Sequence, residues 1–90
     1  MTARWHLLIK GRVQGVGFRW FARETAERLR LSGWVRNLMS GEVEAEVEGP
    51  RETLKRFVAE LAVGLPYARV SDIQKVEIPV IQDKSAFGIR

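Results

Sequence analysis

Glu42-Val43-Glu44-Ala45-Glu46-Val47-Glu48 alternates acidic and small apolar side chains without a break. Period two marks an extended strand, because successive side chains leave opposite faces of a sheet. One face of this strand is therefore apolar and the other carries glutamates. An antiparallel sheet allows that split, with one side packed and one side wet. The row also resembles paired carboxylates for acid–base chemistry, but a solvated strand face accounts for it more simply.

The neighbouring segments follow from that strand. Upstream, Ser40-Gly41 reads as a hairpin turn that joins it to a strand over Trp34-Val35-Arg36-Asn37-Leu38. Downstream, Gly49-Pro50 opens a helix, proline suiting a first turn. Leu54, Phe57, Val58 and Leu61 form that helix's apolar stripe, and Gly64-Leu65-Pro66 stops it. Val70 to Pro79 supplies a further strand whose pattern breaks near Asp72. Phe87-Gly88-Ile89-Arg90 adds a short edge piece.

At the other end, Trp5, Leu7 and Ile9 alternate with His6, Leu8 and Lys10, which suits a first strand. Phe18, Phe21, Ala22, Thr25, Ala26 and Leu29 then recur at helical spacing. Arg23–Glu27 and Glu24–Arg28 pair at i,i+4 on the opposite side. This helix should end near Ser32-Gly33. The order is strand-helix-strand-strand-helix-strand. Two helices with one apolar stripe each can both cover the apolar face of one sheet. The expectation is an α+β, ferredoxin-like βαββαβ sandwich, its four-stranded antiparallel sheet extended by a short C-terminal edge strand.

Composition agrees with one small folded domain over residues 1–90. The chain is 46% apolar and 29% charged, an ordinary globular mixture. It has no cysteine, which excludes a disulfide scaffold, a thiol nucleophile and a cysteine-bound metal. No signal-type apolar stretch or bilayer-length run is present, and the cytoplasm is the expected location. The net charge of +4 is uneven. Residues 1–40 hold eight Lys/Arg against Glu24 and Glu27, a balance of +6, whereas residues 41–90 hold seven basic and nine acidic residues, a balance of −2. A field of that sign draws anions toward the first half.

That half contains Gly11-Arg12-Val13-Gln14-Gly15-Val16-Gly17-Phe18-Arg19, a glycine-rich turn from strand to helix. Glycines let backbone N–H groups crowd around an anion, and the helix adds its positive end. Arg19 stands in the first turn, where a cation is unfavourable by about 0.3–1 kcal/mol. No acidic residue lies between Lys10 and Glu24 to offset it. A bound phosphate would supply the missing charge. The segment is neither a Walker A loop nor a dinucleotide fingerprint, since Trp20 takes the place of the last required glycine. On spacing alone, a glycine-rich connection that binds nothing stays open.

Together with Gly33-Trp34-Val35-Arg36-Asn37, Ser40-Gly41-Glu42-Val43, Glu48-Gly49-Pro50 and Phe87-Gly88-Ile89, the segment resembles the acylphosphatase family over essentially the whole chain. The resemblance implies a ferredoxin-like fold and hydrolysis of acyl phosphates to a carboxylate and inorganic phosphate, with no metal or organic cofactor. It implies that Gln14, Gly15, Val16, Gly17 and Phe18 form the phosphate-binding loop. It further implies that Arg19 binds the phosphoryl group and Asn37 positions the attacking water. Leu38 and Glu42 stand where some vertebrate members carry threonines. A small-molecule acyl phosphate, inorganic phosphate as competing product, and a monomer are the implied partners and state.

Chemistry supports those assignments. A carboxylate leaves readily, so phosphoryl transfer needs positioning and donors around the equatorial oxygens more than acid catalysis. Loop amides and Arg19 are such donors. An amide cannot take a proton at neutral pH, so Asn37 is no general base but can hold water. Asparagine near a hairpin commonly serves the turn, yet Asn37 falls inside a strand-like segment, where it is disfavoured.

Other residues carry less. His6 is the only histidine and has no convergent ligands for a metal. Ser32, Ser40, Ser71 and Ser85 lack a histidine base. Trp5, Trp20 and Trp34 read as core or rim packing. A rival from another class is an RNA-binding module of the same architecture, which needs basic and aromatic residues on its third strand. Glu42, Glu44, Glu46 and Glu48 occupy that strand instead, so neither nucleic acid nor membrane is expected as a partner. A regulatory module without catalysis is the second alternative. Acylphosphatase-like modules also open the hydrogenase-maturation carbamoyltransferase.

Overall fold

The computed structural model describes residues 1–90. Its elements run β1 (Thr2–Arg12), α1 (Phe18–Arg28), β2 (Ser32–Asn37), β3 (Val43–Pro50), α2 (Arg51–Val63), β4 (Arg69–Ile78) and β5 (Gly88–Ile89). The strands form one sheet in the order β4-β1-β3-β2-β5. Four are antiparallel, and β5 adds to the edge in parallel with β2.

The period-two run sets the two faces. Val43, Ala45 and Val47 of β3 join Ala3, Trp5, Leu7 and Ile9 of β1 in a single buried cluster. Helix α1 contributes Phe18, Ala22 and Ala26, and α2 contributes Leu54, Phe57 and Leu61. Both helices therefore cover one face of the sheet, as the two apolar stripes require. Phe87 closes the cluster from the C-terminal side, its ring 6.0 Å from that of Phe57.

The other face departs from the simple solvated surface expected. Glu48 is buried and meets Arg4, whose side chain is only 3% exposed. Arg4 also reaches Glu46 at 2.9 Å and Asp83 at 3.5 Å. Glu48 accepts hydrogen bonds from the backbone amides of Ile81 and Asp83, at 2.9 and 2.8 Å. The residues after β4 thus fold back over this end of the sheet, so that Arg4 is enclosed by three carboxylates and Glu48 is held by backbone amides as well. Further along, Glu44 pairs with His6 at 2.7 Å and with Arg36 at 2.6 Å.

The helix boundaries differ from expectation at the end of α1 and at the start of α2. Helix α1 stops at Arg28, not near Gly33; Arg30 takes a left-handed φ of 59° while the Leu31 amide closes back on Ala26 O. Gly33 lies inside β2, where a Cβ would collide with the carbonyl of Glu46. Pro50 caps α2 from outside, and the helix begins at Arg51. The broken pattern near Asp72 is a bulge: the β1–β4 register shifts between Lys10 and Gly11.

Candidate active site

The connection from β1 to α1 is only five residues long, Val13 to Gly17. Its ends are pinned from inside. Val13 and Phe18 are each 1% exposed, and Phe18 packs edge-on against Phe21 with centroids 6.0 Å apart. Between them Gly15 and Gly17 take φ values of 76° and 81°, which favour glycine. No side chain caps α1, and no acidic residue stands in its first turn. The first-turn amides therefore keep their donors free, with the positive end of the helix dipole behind them.

These residues border a pocket of about 80 Å³ lined by Val13, Gly15, Gly17, Phe18, Arg19, Trp20 and Asn37. Arg19 arrives from α1 and forms no ion pair with any carboxylate. Asn37 arrives from the far end of β2, opposite Val43 on the helix-covered side of the sheet. Its Oδ1 is buried and has no hydrogen-bond partner. A buried acceptor left open costs about 1–3 kcal/mol, so its presence beside a cation marks a place for a ligand donor.

Of the loop residues expected from the sequence, Gly15, Gly17 and Phe18 line the pocket, but Gln14 and Val16 do not. Val16 packs against the core. The Gln14 amide points the other way and donates to Leu38 O at 2.7 Å and Glu42 O at 2.9 Å. Leu38 and Glu42 close the β2–β3 hairpin, joined by Leu38 N to Glu42 O at 2.8 Å. Gln14 therefore ties the glycine loop to the hairpin that carries Asn37. The sequence offers no spacing signal for that tie, and of the two places expected for Trp20, core or rim, it takes the rim, beside the pocket.

Two observations bear on the alternatives. The open face of β3 presents Glu44, Glu46 and Glu48, each engaged with Arg4, His6 or Arg36. No helix is long and apolar enough to cross a membrane, and no group of three or more His, Asp or Glu side chains gathers as a metal-binding set.

Comparison with known proteins agrees with this geometry. The acylphosphatase family model matches residues 5–89. An acylphosphatase of Clostridium beijerinckii is 45% identical over 87 residues, covering 97% of either chain. The crystal structure of acylphosphatase from Bacillus subtilis superposes with a TM-score of 0.92 at 38% identity, covering 100% of this chain and 99% of that one. Full-length HypF, in a phosphate- and nucleotide-bound form, matches with a TM-score of 0.87 at 30% identity, but this chain spans only 12% of it. A glycine turn, an unpaired arginine and an open asparagine thus meet in a chain that belongs to the acylphosphatase family, hydrolases that split acyl phosphates into a carboxylate and inorganic phosphate.

Proposed function

We propose that the pocket beside α1 is where this hydrolysis takes place, with the roles divided among four groups. The amides of Gly15, Gly17 and Phe18 and the guanidinium of Arg19 hold the phosphoryl oxygens. Asn37 Oδ1 accepts a hydrogen bond from the water and aims its oxygen at phosphorus. Water adds as the bond from phosphorus to the acyl oxygen breaks, and the carboxylate departs with that electron pair. The proton of the water passes to a phosphate oxygen, since no side chain in the pocket is a base. Gln14 contributes by holding the loop against the hairpin rather than by touching the substrate.

One observation carries this reading: a cation without a counter-charge and an acceptor without a donor face the same small pocket. A phosphate with its attacking water answers both. Charge builds on the equatorial oxygens during transfer, where preset donors act without reorganisation. Val13 and Phe18 close the floor with apolar atoms, which strengthens those donors by excluding water.

The reading takes residues 1–90 as one catalytic unit working as a monomer in the cytoplasm on small acyl phosphates. It needs no metal, nucleic acid or membrane. The test is hydrolysis of benzoyl phosphate with inorganic phosphate as competitor, in the presence and absence of a chelator. Turnover inhibited by phosphate and indifferent to the chelator supports it. Turnover that phosphate does not inhibit removes the pocket assignment.

A further inference from the structure

With the phosphoryl group held by the loop amides and Arg19, the organic part of the substrate extends toward the mouth of this small pocket. Of the residues there, Gly15 and Gly17 offer no side chain, Arg19 and Asn37 are polar, and Val13 and Phe18 are buried in the core. Trp20 is the remaining one. Its surface is 56% exposed, and of the large apolar side chains that stand exposed on this protein it alone borders the pocket.

The ring is also held. The Arg23 guanidinium lies 3.9 Å from its centroid, one helical turn further along α1. Arg23 Nε lies 3.6 Å from Glu27 Oε1, an i,i+4 ion pair along the same helix. A guanidinium over an indole face is attracted by the negative potential of the ring. The stack limits the rotamers of Trp20 and leaves indole surface open to solvent beside the phosphate site.

We infer that Trp20, backed by Arg23, is the acyl-group platform of this enzyme and sets a preference for flat, aromatic acyl phosphates over small aliphatic ones. The inference rests on the pocket assignment above. An aromatic acyl group gains stacking and apolar contact on the indole, whereas an acetyl group is too small to cover it. Trp20 is specificity-determining and takes no part in bond breaking.

The measurement is the ratio of kcat/KM for benzoyl phosphate to that for acetyl phosphate. In Trp20→Ala this ratio should fall about five- to tenfold, and Trp20→Phe should restore most of it. Arg23→Met should give a smaller fall of about twofold. Competitive inhibition by benzylphosphonate against methylphosphonate reads the same contact without chemistry and should lose discrimination in parallel. Equal losses on both substrates, or an unchanged ratio in Trp20→Ala, overturn the platform. Inorganic phosphate has no acyl group and should inhibit wild type and Trp20→Ala alike. If it inhibits neither, the pocket assignment has failed, and the platform falls with it.

Discussion

Arg4 and Arg19 are the same side chain put to opposite uses. Arg4 lies under the open face of the sheet, 3% exposed, with Glu46, Glu48 and Asp83 around its guanidinium. Arg19 lies beside the helix-covered face, half-buried, with no carboxylate partner and with unsatisfied first-turn amides next to it. In the first region the cation has been answered by carboxylates from other parts of the chain. In the second the chain has gathered positive charge and left it unanswered. Paired charge holds the fold; unpaired charge waits for a substrate.

Substitutions can break that contrast. Arg19→Ala should lower kcat/KM on benzoyl phosphate by about 10³-fold or more. Its urea midpoint should hold or rise slightly, because a cation leaves the first turn of α1. A variant that keeps its activity would show that Arg19 is not part of the machinery. Arg4→Met should do the reverse. Removing one member of a buried ion group leaves Glu48 unpaired and should cost about 3–5 kcal/mol of unfolding free energy, with kcat of the folded protein nearly unchanged. Equal damage to stability and to kcat would dissolve the distinction between the two regions.

Asn37→Ala should lower kcat by about a hundredfold while the inhibition constant of inorganic phosphate moves little. A loss of phosphate affinity with kcat intact would contradict a water-holding role. Its thermal stability should not fall, since the amide oxygen it removes has no partner to lose.

The smallest effect sharpens the comparison through pH. Burial pushes the Glu48 carboxyl up, but the amides of Ile81 and Asp83, together with Arg4, outweigh it and hold Glu48 below its ordinary 4.5. The hydrogen bond from His6, reinforced by Arg36, lowers Glu44 below the same value. Ser85 chiefly, with Arg4, lowers Asp83 below 3.8. Carboxyls lowered in the fold contribute stability that is complete above their ordinary values and fades as pH falls through the lowered ones. Urea midpoints should therefore be flat near neutrality and decline below about pH 5. Arg4→Met should show a shallower decline, because part of the lowering has been removed.

The chain made its architecture legible because the relevant signals are local. Alternation over residues 42–48 gave the strand and its two faces, and the stripe Leu54, Phe57, Val58, Leu61 gave α2 its buried side. Proline and glycine marked both ends of α2 to within a residue or two, but Gly33 misplaced the end of α1, which stops at Arg28. The glycine turn pointed to Gly15, Gly17 and Arg19 through backbone chemistry that sequence displays directly. What stayed hidden depends on distant partners. Glu48 read as solvated because nothing nearby announces that Arg4 and the amides of Ile81 and Asp83 will enclose it. Gln14 read as part of the loop, but its side chain serves carbonyls more than twenty residues away. Helical spacing left Trp20 off the buried stripe of α1, but nothing local says that the rim it occupies is the border of the pocket.

The Gln14 amide has a mechanical consequence. Its two N–H bonds fasten the phosphate side of the pocket, on β1–α1, to the water side, on β2–β3. The two halves of the site lie where the β1–β3 ladder ends at the Ile9–Val43 pair, and Gln14 joins them beyond it, so they must travel as one body. Thermal jostling can then shift the pair together without changing the distance between nucleophile and target. One amide thus continues the bracing at the point where the β1–β3 ladder ends.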